Sequence, residues 1–126
     1  MAHTANFAFL AERFPVLAKF GRQAEQYWQV DANSCLMKLG MLGEAIVNLI
    51  YDTDDIARPV PDDAVHRIRR LRHEEYIDAD IENILHILRK KRNLAVHENY
   101  DSAEDARALL PMAYTLAEWF YETYGD

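Results

Sequence analysis

Asp78 to His97, DADIENILHILRKKRNLAVH, sets its apolar residues three and four positions apart with no sustained period-two alternation. That spacing draws one apolar stripe along an α-helix. On a wheel of about 100° per residue with His86 at the origin, Glu82, Lys90, Asn93 and His97 fall within about 40° of it as a polar stripe. Ile81, Ile84, Leu85, Leu88 and Ala95 take the opposite arc and should face a core. Arg92 breaks the pattern: it lies at about 240°, between Leu88 and Leu85, on the side expected to be dry. A guanidinium there is costly unless it is paired and hydrogen-bonded.

The same periodicity extends in both directions. Asn6 is placed to cap a short helix through Phe7, Phe9 and Leu10, Pro15 opens a second helix reaching toward Trp28, and Asp31 caps a third that runs to Ile50 or Tyr51. Asp52-Thr53-Asp54-Asp55 to Pro59-Val60-Pro61 reads as a loop, since both prolines lack a donor and restrict the residue before them. A fourth helix over Asp62 to Glu75 precedes the quoted stretch, which is the fifth. Ser102 with Asp105 begins a last helix carrying Leu109, Leu110, Met112, Ala113, Leu116, Ala117, Phe120 and Tyr124, in which Pro111 should introduce a kink or move the start. No repeat is visible. The expectation is one all-α domain over 1–126, an antiparallel bundle of five to six helices.

Composition agrees with that class. The chain has 126 residues, 50% apolar and 28% charged, with only 4 Gly and 4 Pro, which excludes collagen-like, low-complexity and disordered chains. Cys35 stands alone and cannot close an intramolecular disulfide, and no charged and apolar leader opens the chain, so a reducing cytoplasm is the expected compartment. The longest apolar run, Leu36 to Tyr51, is interrupted by Lys38, Glu44 and Asn48, so no membrane span is expected. The net charge of −7 argues against indiscriminate coating of nucleic acid or anionic membrane. From Arg58 to His97, however, nine Lys and Arg face seven Asp and Glu, leaving five against fourteen elsewhere. Within that stretch lie His66-Arg67-Ile68-Arg69-Arg70-Leu71-Arg72-His73 and Arg89-Lys90-Lys91-Arg92, readable either as solvated helix faces or as a phosphate-binding patch.

Glu44, in Leu42-Gly43-Glu44-Ala45-Ile46-Val47, is a carboxylate in the most apolar helix, the mirror of the difficulty posed by Arg92. A bidentate Arg92–Glu44 pair would resolve both. It would either fix helix register or hold Arg92 with its remaining donors aimed at a phosphate. Arg92-Asn93-Leu94-Ala95-Val96-His97 also resembles the Arg, polar residue, three others, His signature of the HEPN superfamily, all-α domains that include many metal-independent ribonucleases and toxins. Asn6 to Leu10, Lys38-Leu39-Gly40 to Gly43-Glu44-Ala45, Leu88 to Glu98 and Ala117-Glu118-Trp119-Phe120 to Tyr124-Gly125 extend the resemblance. Together they resemble the HEPN-type domain of unknown function at the amino terminus of type I restriction enzyme R subunits and related helicases. Relatives of that kind precede a nuclease and a helicase motor; no Gly-x-x-x-x-Gly-Lys-Ser/Thr loop occurs here, so the chain is expected to be a domain cut from a longer protein or a small stand-alone relative.

The resemblance implies a restriction or phage-defence role and a metal-independent endoribonuclease with Arg92, Asn93 and His97 in the site and Glu44 orienting. His97 would exchange a proton, Arg92 hold phosphate oxygens and Asn93 orient either group. On one helix Arg92 and His97 stand about 140° apart, so either the helix ends before His97 or the site is completed across a two-fold axis, as HEPN ribonucleases do by dimerising. Arg67, Arg69, Arg70, Arg72, Lys90 and Lys91 are the candidate nucleic-acid contacts, for RNA or DNA. The alternative is a non-catalytic docking or recognition module contacting other restriction-modification subunits, and a third reading is a purely structural bundle. His66 and His73 share a helix face, but no third ligand lies near in sequence and no paired-Cys, His-Glu-x-x-His or EF-hand pattern occurs, so neither metal nor cofactor is expected. Trp28, Trp119, Tyr114, Phe120 and Tyr121 read as core or dimer interface ahead of base-stacking platforms.

Overall fold

Four helices open on a side chain that accepts a hydrogen bond from the first turn, which satisfies donors that would otherwise be orphaned. Asp31 accepts from the Ser34 amide at 3.2 Å, Asp63 from His66 at 2.9 Å, Asp78 from Ile81 at 2.9 Å and Ser102 from Asp105 at 3.1 Å. The remaining one begins at Pro15, whose missing N–H costs nothing at a first helical position. The structure, a computed structural model, describes residues 7–126. Its order is a 3-10 turn at Ala8–Leu10, then α1 (Pro15–Tyr27), α2 (Ala32–Thr53), α3 (Ala64–His73), α4 (Ala79–His97) and α5 (Ala103–Tyr124), with no strand among the described residues. The all-α bundle is therefore as expected. The expected first helix is instead a 3-10 turn, and its cap Asn6 lies outside the described residues.

α2 forms the centre, packed against α1, α4 and α5, while α3 lies on α4. By length and composition α2 could cross a membrane. Its apolar side chains, among them Leu36, Leu39, Leu42, Ile46 and Ile50, are instead buried in the bundle, which makes it the core helix. The apolar arc of α4 is buried as its periodicity predicts: Ile81, Ile84, Leu85, Leu88 and Ala95 all face inward. α5 runs without a break through Pro111, because Ala106 and Leu109 before it and Ala113, Leu116, Ala117 and Phe120 after it are all held in the core. Tertiary burial here outweighs the loss of one helical hydrogen bond. α3 starts two residues later than expected, at Ala64, and ends two earlier, at His73. Asp63 is the cap, and Asp62 turns to Arg67 instead, at 2.6 Å from Nε.

Two glycines set how closely α4 approaches α2. A Cβ at Gly40 would run into the Cβ, Cγ and Cδ of Arg92, and one at Gly43 would touch Leu88 and Leu85 at 3.5 and 3.6 Å. The stem of Arg92 thus lies across bare α2 backbone. At the end of α4, Asn33 donates from Nδ2 to the carbonyls of Ala95 (2.9 Å) and Tyr100 (2.8 Å), which pins the last turn to the start of α2.

Candidate functional site

α2, α3 and α4 enclose a cleft of about 250 Å³. Val47, Ile68 and Leu85 form its apolar lining, and Arg67, Arg89, Arg92, Asn93, Glu44 and Asp63 supply its polar groups. Three guanidinium groups line a recess with an apolar wall together with two carboxylates, and a third carboxylate, Asp62, holds Arg67 from outside the lining.

Arg67 reaches the cleft from α3, largely buried, with Nε held by the Asp62 carboxylate and Nη2 donating to the Asp62 carbonyl at 3.3 Å. Arg89 comes from α4. Its Nε is buried with no hydrogen-bond partner among the described residues, and its Nη2 lies 3.4 Å from His86 Nδ1. Burial and the neighbouring Arg69 charge hold Arg89 below the ordinary guanidinium range, with Asp63 offsetting part of this. The group stays charged at neutral pH, so a partly desolvated cation with one sealed, unused donor borders the cleft. Burial, then the charge of Arg89, likewise depress the His86 imidazole.

Arg92 corrects one expectation. It does meet Glu44, but through one contact, Nη1 to Oε1 at 3.4 Å, between side chains 34% and 42% exposed. The pair is neither bidentate nor dry. The stem lies in the gap opened by Gly40, so the charged tip snorkels to the rim while the methylenes cover the helix. Asn93 is exposed and lines the same cleft.

His97 is the last residue of α4 and is exposed. The helix therefore does not end before it, so within one chain the ring remains about 140° around the helix from Arg92 and does not line the cleft. The other candidate cations divide. Arg69 and Arg70 share a shallow depression with His66 and His73; Arg70 also donates to the Ala57 carbonyl at 3.3 Å. Arg72 lies 3.6 Å from Glu82, in another depression beside Trp119. Lys90 is exposed. Lys91 braces α4 to α5: its Nζ is 2.7 Å from Asp105 and 5.2 Å from the centre of the Tyr100 ring. The hydrogen bond to Asp105 raises the Lys91 pKa, and those from Lys91 and Tyr100 lower that of Asp105. His66 pairs with Asp63 at 2.7 Å. Among the described residues no three His, Cys, Asp or Glu side chains gather as a metal site would require.

The profile of a family described as a domain of unknown function, DUF4145, matches residues 22–124. The chain belongs to the DUF4145 family. A curated relative, the type I restriction enzyme EcoKI endonuclease subunit of Escherichia coli strain K12, is 30% identical over 121 residues, which covers 96% of this chain and 10% of that protein. The chain thus spans about a tenth of the relative's length. No solved structure matches it. The segment matched to DUF4145 holds every residue of the arginine cleft and His97. This DUF4145 domain is related to a segment of a restriction enzyme subunit, which agrees with the restriction-enzyme part of the resemblance drawn from its sequence.

Of the three cleft arginines, Arg89 is picked out by the sequence only within the Arg89-Lys90-Lys91-Arg92 run and not among the individual candidate contacts. Its signal is present, since a residue three positions before Arg92 lies one turn away on a neighbouring line of the helix. Asn33, which fixes the carbonyls around His97, gives no such signal, because its partners lie more than sixty residues away.

Proposed function

We propose that this DUF4145 domain is a HEPN-like nucleic-acid-binding domain of a restriction or defence system that holds RNA phosphate in the α3–α4 cleft and, as a homodimer, cleaves RNA without a metal. The observation that carries this reading is the convergence of Arg67, Arg89 and Arg92 on one recess, with the buried Nε of Arg89 unpartnered. A phosphate would pair with the guanidinium groups that line the recess. Glu44 steadies Arg92 from the rim, and Asn93 offers an amide beside it.

Cleavage through a cyclic phosphate needs a base for the 2′-hydroxyl, a cation for the phosphorane charge and an acid for the leaving oxygen. In one chain the cation and the imidazole point apart. A two-fold axis near the end of α4 would carry His97 of each copy toward the neighbouring copy's Arg92, and Val96, 49% exposed beside His97, gives that surface an apolar element. The non-catalytic reading, a docking or recognition module within a restriction-modification assembly, is favoured by one observation, the absence of His97 from the cleft lining.

The test is cleavage of a short single-stranded RNA in EDTA, with solution mass measured in parallel. The catalytic reading expects a dimer, and turnover that His97→Ala abolishes while helix content is kept. A folded dimer that binds RNA but leaves it intact would establish the recognition module, and failure to bind RNA would end both nucleic-acid readings.

A further inference from the structure

On the α1–α5 side, a groove of about 690 Å³ is lined by Glu25, Trp28, Tyr114 and Arg107. None of these belongs to the arginine cleft. Glu25 is 8% exposed, the one charged side chain among the buried described residues. Its Oε1 is sealed from solvent with no hydrogen-bond partner among the described residues, and burial lifts its carboxyl pKa to about 7. A carboxyl in that setting is stabilised by any donor that reaches it, and most by a charged one. Trp28 and Tyr114 are half-buried, each leaving aromatic surface on the groove. Tyr114 also borders an adjoining depression that contains Glu118 and Glu122. Both are exposed, and among the described residues neither is ion-paired. This face belongs to the part of the chain where five Lys and Arg stand against fourteen Asp and Glu.

We propose that this groove docks a basic segment of a partner protein, with one arginine side chain of that partner lying against Trp28 and Tyr114 and meeting the Glu25 carboxylate. Arginine fits the three features together. Its guanidinium is planar and weakly hydrated, stacks on aromatic faces and forks onto a carboxylate. The surrounding carboxylates favour a cationic occupant over an anionic one such as RNA. Arg107, exposed in the same lining, is the one like charge, so its removal should tighten binding. This inference is independent of the ribonuclease reading, which uses neither helix face.

The test is a titration of the full chain followed by the indole N–H resonances of its two tryptophans. The probes are N-acetyl-arginine amide and a glycine-spaced peptide with two arginines. The Trp28 signal should shift saturably, while that of Trp119, in a different cleft, stays in place. Glu25→Gln should weaken the peptide by about tenfold, with the Trp119 signal and helix content unchanged, and Arg107→Ala should strengthen it by about two- to threefold. The proposal is overturned if Trp28 is unmoved at about 50 mM arginine amide, or if folded Glu25→Gln binds as wild type does. It is equally overturned if inorganic phosphate or oligouridylate shifts Trp28 in place of arginine and Arg107→Ala removes that response.

Discussion

Truncating Arg92 separates a residue that serves a ligand from one that holds the bundle together. Arg92→Ala removes one 3.4 Å interaction with Glu44, between side chains 34% and 42% exposed. A pair this wet contributes about 0–1 kcal/mol. The methylenes that lie over Gly40 contribute about 0.5–1 kcal/mol more. Stability should therefore fall by about 1 kcal/mol, or about 2–6 °C in Tm for a chain of this size. Breaking a dry pair at one end would cost about 3–5 kcal/mol by stranding the carboxylate. Urea unfolding followed by circular dichroism distinguishes the two, run at two protein concentrations so that any dimer contribution is visible. The same variant should bind a short RNA about tenfold more weakly, because one charged hydrogen bond to phosphate is removed. A stability loss above about 3 kcal/mol with RNA binding unchanged would refute the placement of Arg92 at a ligand-facing rim.

Arg89→Met should leave stability unchanged or raise it by up to about 1 kcal/mol, because it replaces a partly desolvated cation with a flexible apolar side chain, while RNA affinity falls; thermal melts and anisotropy read the two effects. Glu25 has a folded-state pKa of about 7, above the ordinary 4.5, through burial. The folded state therefore holds its proton more tightly than the unfolded one, and stability should decline as pH rises from about 4.5 through 7, by on the order of 3 kcal/mol. Glu25→Gln should flatten that decline and be the more stable form at pH above about 8, as denaturant midpoints across pH would reveal. Asn33→Ala removes the two donors to the Ala95 and Tyr100 carbonyls, so it should cost about 1–3 kcal/mol and speed amide exchange at the C-terminal end of α4.

Much of the fold is legible in the chain because its signals are local. The apolar arc of Asp78–His97 is buried residue for residue, and Asp31, Asp78 and Ser102 cap their helices as short polar side chains do before a first turn. Asp62 and Asp63 are indistinguishable as caps by type; the difference is that Arg67 takes one of them. Pro111 obeys a local rule in isolation, yet both halves of α5 are fixed by distant packing. The depth of Arg92 is illegible for a related reason. A wheel states direction around one helix but not the relief of the helix opposite, and here Gly40 leaves room for the stem to cross and carry its tip outward. Arg89 shares its cleft with α3 residues, and Glu25 its groove with α5 residues, so neither site can be read from one helix alone.

The cleft as a phosphate site is tested most directly by the salt dependence of binding to a short single-stranded RNA, measured by anisotropy for wild type and for Arg89→Ala/Arg92→Ala. Every phosphate that the protein no longer neutralises lowers the magnitude of the log–log slope by about 0.7, so the double variant should bind more weakly with a slope shallower by about 1.4. Equal affinity and equal slope in the two folded proteins would contradict the assignment of these arginines to phosphate.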